Sequence, residues 1–277
     1  MDKTIQTISL LGAGWLGTPL GRALHEDGYT VKGSTTRVER FPELKQNGIM
    51  PFQLYIEGEQ MRAESPVDDF FQCDLLILNL PPGRRQPDVE TEYPKRIKSV
   101  SMLAQQYEIP YCLFASSTSV YPNTNNVVVE NDAETPSTAS GKALLTAERY
   151  LGLITQPQTT ILRLGGLVGG NRQPGRFLAG KKELKNGQAP VNLVHQDDCI
   201  RICQEIIRQH KWGETYNVVA DDHPLRQSFY PEQARKLGLV PPTFKNDPQP
   251  SFKVVSNHKV KEDLGYDFIW PDPMAFP

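Results

Sequence analysis

Short apolar runs alternate with amphipathic stretches through the first two thirds of the chain. Ile5 to Leu11 reads as a buried strand, and Trp15 to Asp27 as a helix ended by Gly28. Tyr29 to Gly33 follows as a second strand, Val38 to Asn47 as a helix stopped by Gly48, and Met50 to Ile56 as a third strand. Asp74 to Leu80 is a fourth strand broken by Pro81 and Pro82, and Thr91 to Tyr107 is a long helix. Pro110 to Ala115 forms a fifth strand, Gly141 to Leu153 a helix, and Thr159 to Leu164 a sixth strand. Continuous apolar strands separated by helices predict a parallel sheet covered on both faces. That is the α/β class with a doubly wound parallel sheet. Beyond Leu164 the rhythm loosens into segments rich in Gly, Pro and Asn, so a small C-terminal lobe is expected. The division predicted is a core over 1–165, completed by 191–220, with a substrate lobe from 166–190 and 221–277.

Composition narrows the function classes. The 277 residues carry 30 Lys and Arg against 32 Asp and Glu, a net charge of -2. Nucleic acid is not an expected partner, because there is no basic excess to displace phosphate counterions. No run approaches the roughly eighteen consecutive apolar residues of a membrane helix. Met1 to Thr4 leads straight into a strand-like segment rather than a signal peptide. Cys73, Cys112, Cys199 and Cys203 lack the paired spacing of a zinc site, and no metal is expected. Cys199 and Cys203, four apart, share one helix face as part of an apolar stripe; the reduced thiols fit a cytoplasmic setting.

The candidate chemistry starts at Gly12-Ala13-Gly14-Trp15-Leu16-Gly17, a G-x-G-x-x-G run between the first strand and first helix. Gly12 permits the tight turn, Gly14 lets a pyrophosphate approach the backbone, and Gly17 lets helix and strand pack closely. The helix N-terminus, opened by Trp15 and Leu16, offers N–H groups and a positive dipole end to phosphate. In strand–turn–helix context this pattern points to a dinucleotide. An NAD site usually carries Asp or Glu at the end of the second strand to hold ribose hydroxyls. Here Ser34-Thr35-Thr36-Arg37 stands instead, a set of hydroxyls and a guanidinium suited to a 2′-phosphate. NADP(H) is therefore the expected cofactor, with NAD the alternative. Leu80 and Pro81, after the fourth strand, lie where the dinucleotide would cross the sheet edge.

A family resemblance enters with Phe114 to Pro122, F-A-S-S-T-S-V-Y-P. This stretch resembles the S-S-x-x-V-Y-G segment of the extended short-chain dehydrogenases, the NAD-dependent epimerase/dehydratase family. Glu130 and Pro136, then Lys142 and Glu148, resemble later family elements in order. Arg163 to Gly169, Val194 to Asp198, and Ser256 to Tyr266 resemble its remaining motifs, so the likeness covers nearly the whole chain. The chain is similar to a short, divergent branch of that family. The resemblance implies an oxidoreductase or epimerase-like enzyme acting on a small molecule, with Ser117 as the hydroxyl that holds the reacting oxygen and Lys142 as the family lysine. It also implies pairing of two copies through the long helices into a homodimer.

The family tyrosine, four residues before the lysine, is Thr138 in this chain. A threonine hydroxyl is far too weak an acid to replace a phenol. Three readings stay open: Tyr121 or His195 supplies the proton; the protein binds NADP(H) without turnover, as a regulator; or Lys142 acts through a bound water. In each, Lys142 can hold the ribose hydroxyls. Arg84 and Arg85, and Arg172 and Arg176 in the pocket-building loop, fit either an anionic substrate or a solvated basic loop surface. A reductase of the ketopantoate or 6-phosphogluconate dehydrogenase type is a further alternative, raised by the G-x-G-x-x-G run and Leu80-Pro81-Pro82.

Overall fold

Strands whose two faces are both buried need apolar side chains at every position, and this dictates the centre of the molecule. A computed structural model describes residues 4–57, 60–83, 87–246 and 249–277. Arg84 and Arg85 lie outside the described residues. The early elements are β1 (Thr7–Leu11), α1 (Gly17–Glu26), β2 (Thr30–Thr35), α2 (Phe41–Gln46), β3 (Ile49–Glu57) and β4 (Gln60–Ala63). Next come α3 (Val67–Phe71), β5 (Leu75–Leu78), α4 (Val89–Gln106), β6 (Tyr111–Ser117) and β7 (Val127–Val128). They are followed by α5 (Ala139–Leu153), β8 (Gln158–Leu164), β9 (Gly166–Val168), α6 (Gly175–Leu178) and β10 (Leu193–His195). The chain closes with α7 (Gln196–Gln209), β11 (Thr215–Val218), α8 (Arg226–Lys236), β12 (Val254–Val255) and α9 (His258–Leu264).

These elements fall into two compact units. The first comprises residues 1–116, 138–162 and 203–215. It is built on the strand run β6-β5-β1-β2-β3-β4. β3, β2, β1, β5 and β6 are paired in parallel, with Leu10 opposite Gly33 and Leu11 opposite Leu78. Every residue of β5 is buried. The chain steps outward from β1 through β2 and β3, then returns to β5 on the other side of β1. The β1–β5 boundary is thus a topological switch point, where open α/β sheets open a crevice at the carboxyl ends of their strands.

The doubly wound class predicted from the pattern is the class observed. One departure is β4, an antiparallel strand on β3 that gives the sheet a mixed edge. Another is the helix expected over Val38 to Asn47. It splits into a 3-10 turn, Val38–Arg40, and α2, where Pro42 is accepted in the first turn because its missing N–H has no intrahelical partner to lose.

The second unit comprises residues 117–137, 163–202 and 216–277. Its apolar centre gathers Val168, Val191, Leu193, Ala220, Phe229 and Phe276. A buried carboxylate ties its tail down. Asp198 accepts from Tyr266 Oη at 2.7 Å, Ile269 N at 2.7 Å and Trp270 N at 3.2 Å. Burial raises the Asp198 pKa, and these donors pull against that rise.

The cysteines behave as core residues. Cys199 and Cys203 sit buried on α7 beside Ile202, Ile206 and Ile207, at helical spacing. Burial pushes the thiols of Cys112 and Cys203 up to about 12 and that of Cys73 to about 11, so none is a ready nucleophile. Among the described residues no helix is long and apolar enough to cross a membrane.

Replacing Asp198 by Ala strands three donors in the second unit. Urea unfolding should show a loss of about 3 kcal/mol, since each unsatisfied buried group costs about 1–3 kcal/mol. A loss below about 1 kcal/mol would mean that Asp198 does not anchor the tail.

Candidate functional site: a dinucleotide turn and a buried tyrosine

The turn between β1 and α1 is held from three sides. Gly12 takes φ +105°, a conformation L side chains rarely adopt, and a Cβ there would stand 2.4 Å from Asn79 O. Its N–H donates to Ser34 Oγ at 2.9 Å, and its carbonyl accepts from Asn79 Nδ2 at 2.9 Å. Ala13 N–H donates to Ser34 O at 2.8 Å. Arg40 reaches back from beyond β2: Nη1 donates to Ala13 O at 2.5 Å and Nη2 to Thr18 Oγ1 at 3.0 Å. Glu43 holds the same guanidinium in place. Neither Asn79 nor Arg40 stands out in the sequence, because nothing local marks an Asn after a strand or an Arg in a charged turn.

The three glycines of the run differ sharply. A Cβ at Gly17 would lie 2.3 Å from Gly12 O and 2.7 Å from Leu10 Cδ2, so internal packing requires glycine there. A Cβ at Gly14 would meet no described atom within 4 Å, and its φ lies outside the left-handed region. Neither packing nor backbone conformation explains that glycine. The following helix opens without a side-chain cap, with Thr18 N–H donating to Gly14 O at 2.9 Å, and its positive dipole end comes directly after Gly14. Gly14, Trp15, Leu16 and Gly17 carry the backbone from the turn into α1, with open space beside Gly14 and close packing at Gly17.

The residues expected to read the cofactor's adenosine half divide in two. Ser34 is buried, and its hydroxyl accepts from Gly12 N–H, so it braces the turn. Thr35 Oγ1 accepts from Arg37 N at 3.2 Å, fixing the backbone as it leaves β2. Thr36 and Arg37 are exposed at the strand's carboxyl end. Leu80 is fixed by Tyr93, whose hydroxyl donates to Leu80 O at 2.9 Å from within α4. Pro81 follows it, exposed.

Thr138 is the N-cap of α5: its Oγ1 accepts from Gly141 N at 3.0 Å. This cap role accounts for the threonine, since hydroxyl N-caps stabilise helix starts. Lys142, one turn on, is half exposed, and its Nζ lies 3.6 Å from Glu90 Oε1 in the first turn of α4. Glu148 faces inward on the same helix and accepts a short hydrogen bond from Ser116 Oγ.

Ser117 and Tyr121 fall in the second unit. Ser117 Oγ accepts from Ser119 N at 3.2 Å, capping a 3-10 turn. Tyr121 is fully buried; its hydroxyl donates to Asn217 Oδ1 at 2.6 Å and accepts from Arg163 Nη1 at 2.8 Å. Arg163 Nη1 also donates to Glu130 O at 2.5 Å, and Glu130 Oε1 accepts from Asn217 N at 2.9 Å. Lys253 Nζ donates to Tyr121 O at 2.7 Å. Burial pushes the Tyr121 phenol up to about 12, against the pull of Arg163. Three motif residues, Tyr121, Glu130 and Arg163, thus meet in one polar cluster with Asn217 and Lys253, which sequence reasoning missed.

His195 is also buried. Its Nδ1 accepts from Asp197 N at 3.3 Å, and its ring lies 5.0 Å from that of Trp270 and 5.6 Å from that of Phe276. Arg176 Nε donates to Gln173 Oε1, and Arg172 closes a tight backbone pairing with Gly169.

Comparison with known proteins places this geometry. No family profile matches the chain. Protein YeeZ of Escherichia coli K12 is 35% identical over 274 residues, covering 99% of each chain. A short-chain dehydrogenase/reductase superfamily protein from Agrobacterium tumefaciens, solved with bound NAD, superposes with a TM-score of 0.79 at 17% identity, over 97% of this chain and 94% of that one. A variant of UDP-glucuronic acid 4-epimerase from Bacillus cereus, in complex with a fluorinated UDP-glucuronic acid and NAD, gives 0.79 at 18%, over 95% and 94%. These likenesses establish a fold shared with NAD-binding dehydrogenases and epimerases.

Tyr121→Phe removes a hydroxyl that both Arg163 and Asn217 use. Denaturant unfolding should record a loss of about 1–3 kcal/mol, the cost of stranding buried polar groups. An unchanged midpoint would mean that the cluster does not depend on the phenol.

Proposed function

The chain belongs to the family of Escherichia coli protein YeeZ, and from that footing we propose that it binds a nicotinamide dinucleotide, NADP(H) in preference to NAD(H), and acts as an oxidoreductase or epimerase-like enzyme on a small molecule. The observation that carries the reading is Gly14, a glycine with open space where its Cβ would stand, next to an uncapped helix start. The residues fit the cofactor. Gly14, Trp15, Leu16 and Gly17 would hold the pyrophosphate, Leu80 and Pro81 would flank it, and Lys142 would hold ribose hydroxyls. When bound, the cofactor supplies a hydride donor or acceptor.

NADP(H) preference rests on charge at the end of β2. No carboxylate stands among residues 33–37 to accept from a ribose 2′-hydroxyl, and exposed Thr36 and Arg37 suit a 2′-phosphate. Ser117 is assigned the hydroxyl that holds the reacting oxygen. Tyr121 is assigned a supporting role, because its donor and acceptor capacity is spent within its own cluster.

A second reading, NADP(H) binding without turnover, is favoured by the Thr138 hydroxyl being committed to the α5 cap. Calorimetric titration tests the binding, and NADPH oxidation over a panel of carbonyl compounds separates the two readings. NADPH should bind more tightly than NADH, and Arg37→Ala should weaken NADPH about tenfold, the worth of one charge-assisted contact, while leaving NADH unchanged. Tighter NADH binding would overturn the 2′-phosphate assignment. Turnover no faster than that of a Ser117→Ala, Lys142→Ala double variant on every compound would select the binding-only reading.

A further inference from the structure

In a parallel sheet each helix runs back from the carboxyl edge, so helix starts gather at the edge where ligands bind. Glu90 and Lys142 stand in the first turns of α4 and α5. They are far apart in sequence, and their charged ends lie 3.6 Å apart. Both are substantially exposed, Glu90 at 47% and Lys142 at 55%, so the pair contributes little to folding. What it does provide is an acceptor-only group beside a donor-only group. That combination matches two neighbouring hydroxyls of a sugar: one donates to the carboxylate while the other accepts from the ammonium.

The sheet topology says which sugar. Arg37 follows β2, on one side of the β1–β5 switch, whereas Glu90 follows β5 on the other. Tyr93, one turn after Glu90 on α4, fixes the carbonyl of Leu80 at the end of β5, which ties this helix start to the same crevice. Thr138, the N-cap of α5, holds the helix start that carries Lys142, its hydroxyl accepting from Gly141 N–H. We propose that Glu90 is a further cofactor-positioning residue: with Lys142 it clasps the ribose diol on the nicotinamide half of the dinucleotide. The proposal rests on the dinucleotide reading above and extends it to a residue on a different helix from the family lysine.

The test compares the whole dinucleotide with its adenylate half, which lacks the second ribose: NADP with 2′,5′-ADP, or NAD with AMP if NAD is the tighter ligand. Glu90→Gln keeps the shape of the side chain and removes its charge. It should weaken dinucleotide binding about tenfold, the value of one hydrogen bond to a charged group, and leave the adenylate half within about twofold. Lys142→Met should show the same selective loss. Equal losses for both ligands, or no loss for either, would overturn the clasp. A wild-type protein that binds the adenylate half as tightly as the dinucleotide would also overturn it while sparing the binding reading. Failure of the wild type to bind either ligand would instead remove the dinucleotide reading itself.

Discussion

The backbone between Leu11 and Gly17 has to leave the centre of a parallel sheet and start a helix almost at once. Only a glycine at φ +105° can make the first step with a carbonyl pressed against it, and Gly12 is that residue. The turn is then locked from neighbouring strands, by Ser34 at the end of β2 and by Asn79 just past β5. Arg40 closes it from outside, bonding both to the turn and to Thr18 on the helix it starts. These bonds bring the ends of β1, β2 and β5 to one place, so the switch point of the sheet becomes a shaped surface instead of a set of loose ends.

Polar side chains inside the protein divide by what they leave free. In the cluster around Tyr121, hydroxyl, guanidinium, carboxylate and amide consume one another, as buried polar groups must. That cluster stabilises the start of the second unit and presents little for chemistry. At the carboxyl edge of the first unit the opposite holds. Gly14 has space beside it, the helix start has no side-chain cap, and Glu90 and Lys142 are exposed, each facing the other's opposite charge. Groups left unsatisfied by the fold are the ones available to a ligand.

The sheet was legible in the sequence because burial on both faces leaves uninterrupted apolar runs, as in Leu75–Leu78. The edge was not. β4 carries Gln60 and Arg62 in a short antiparallel strand, and its pattern does not differ from that of a polar loop. α7 escaped a full assignment although Cys199, Ile202, Cys203, Ile206 and Ile207 repeat at helical spacing; only the two cysteines marked it. At the site, the G-x-G-x-x-G run was readable because each glycine answers a local steric demand. Asn79 and Arg40 were not, since their roles arise from pairings across 67 and 27 residues. Thr138 was legible as a departure from the family pattern, but its cap role required seeing where α5 begins.

The account turns on the claim that Gly14 is glycine for the sake of a bound dinucleotide and Gly17 for the sake of packing. Paired alanine variants, measured by thermal melting and by NADPH titration, test that division directly. Gly14→Ala should melt at or slightly above the wild type, because a Gly→Ala change in an unstrained backbone restricts the unfolded chain, and should lose affinity for NADPH by about tenfold or more. Gly17→Ala should melt lower. A Gly14→Ala protein that binds NADPH as well as the wild type would contradict the account, as would one that melts as low as Gly17→Ala.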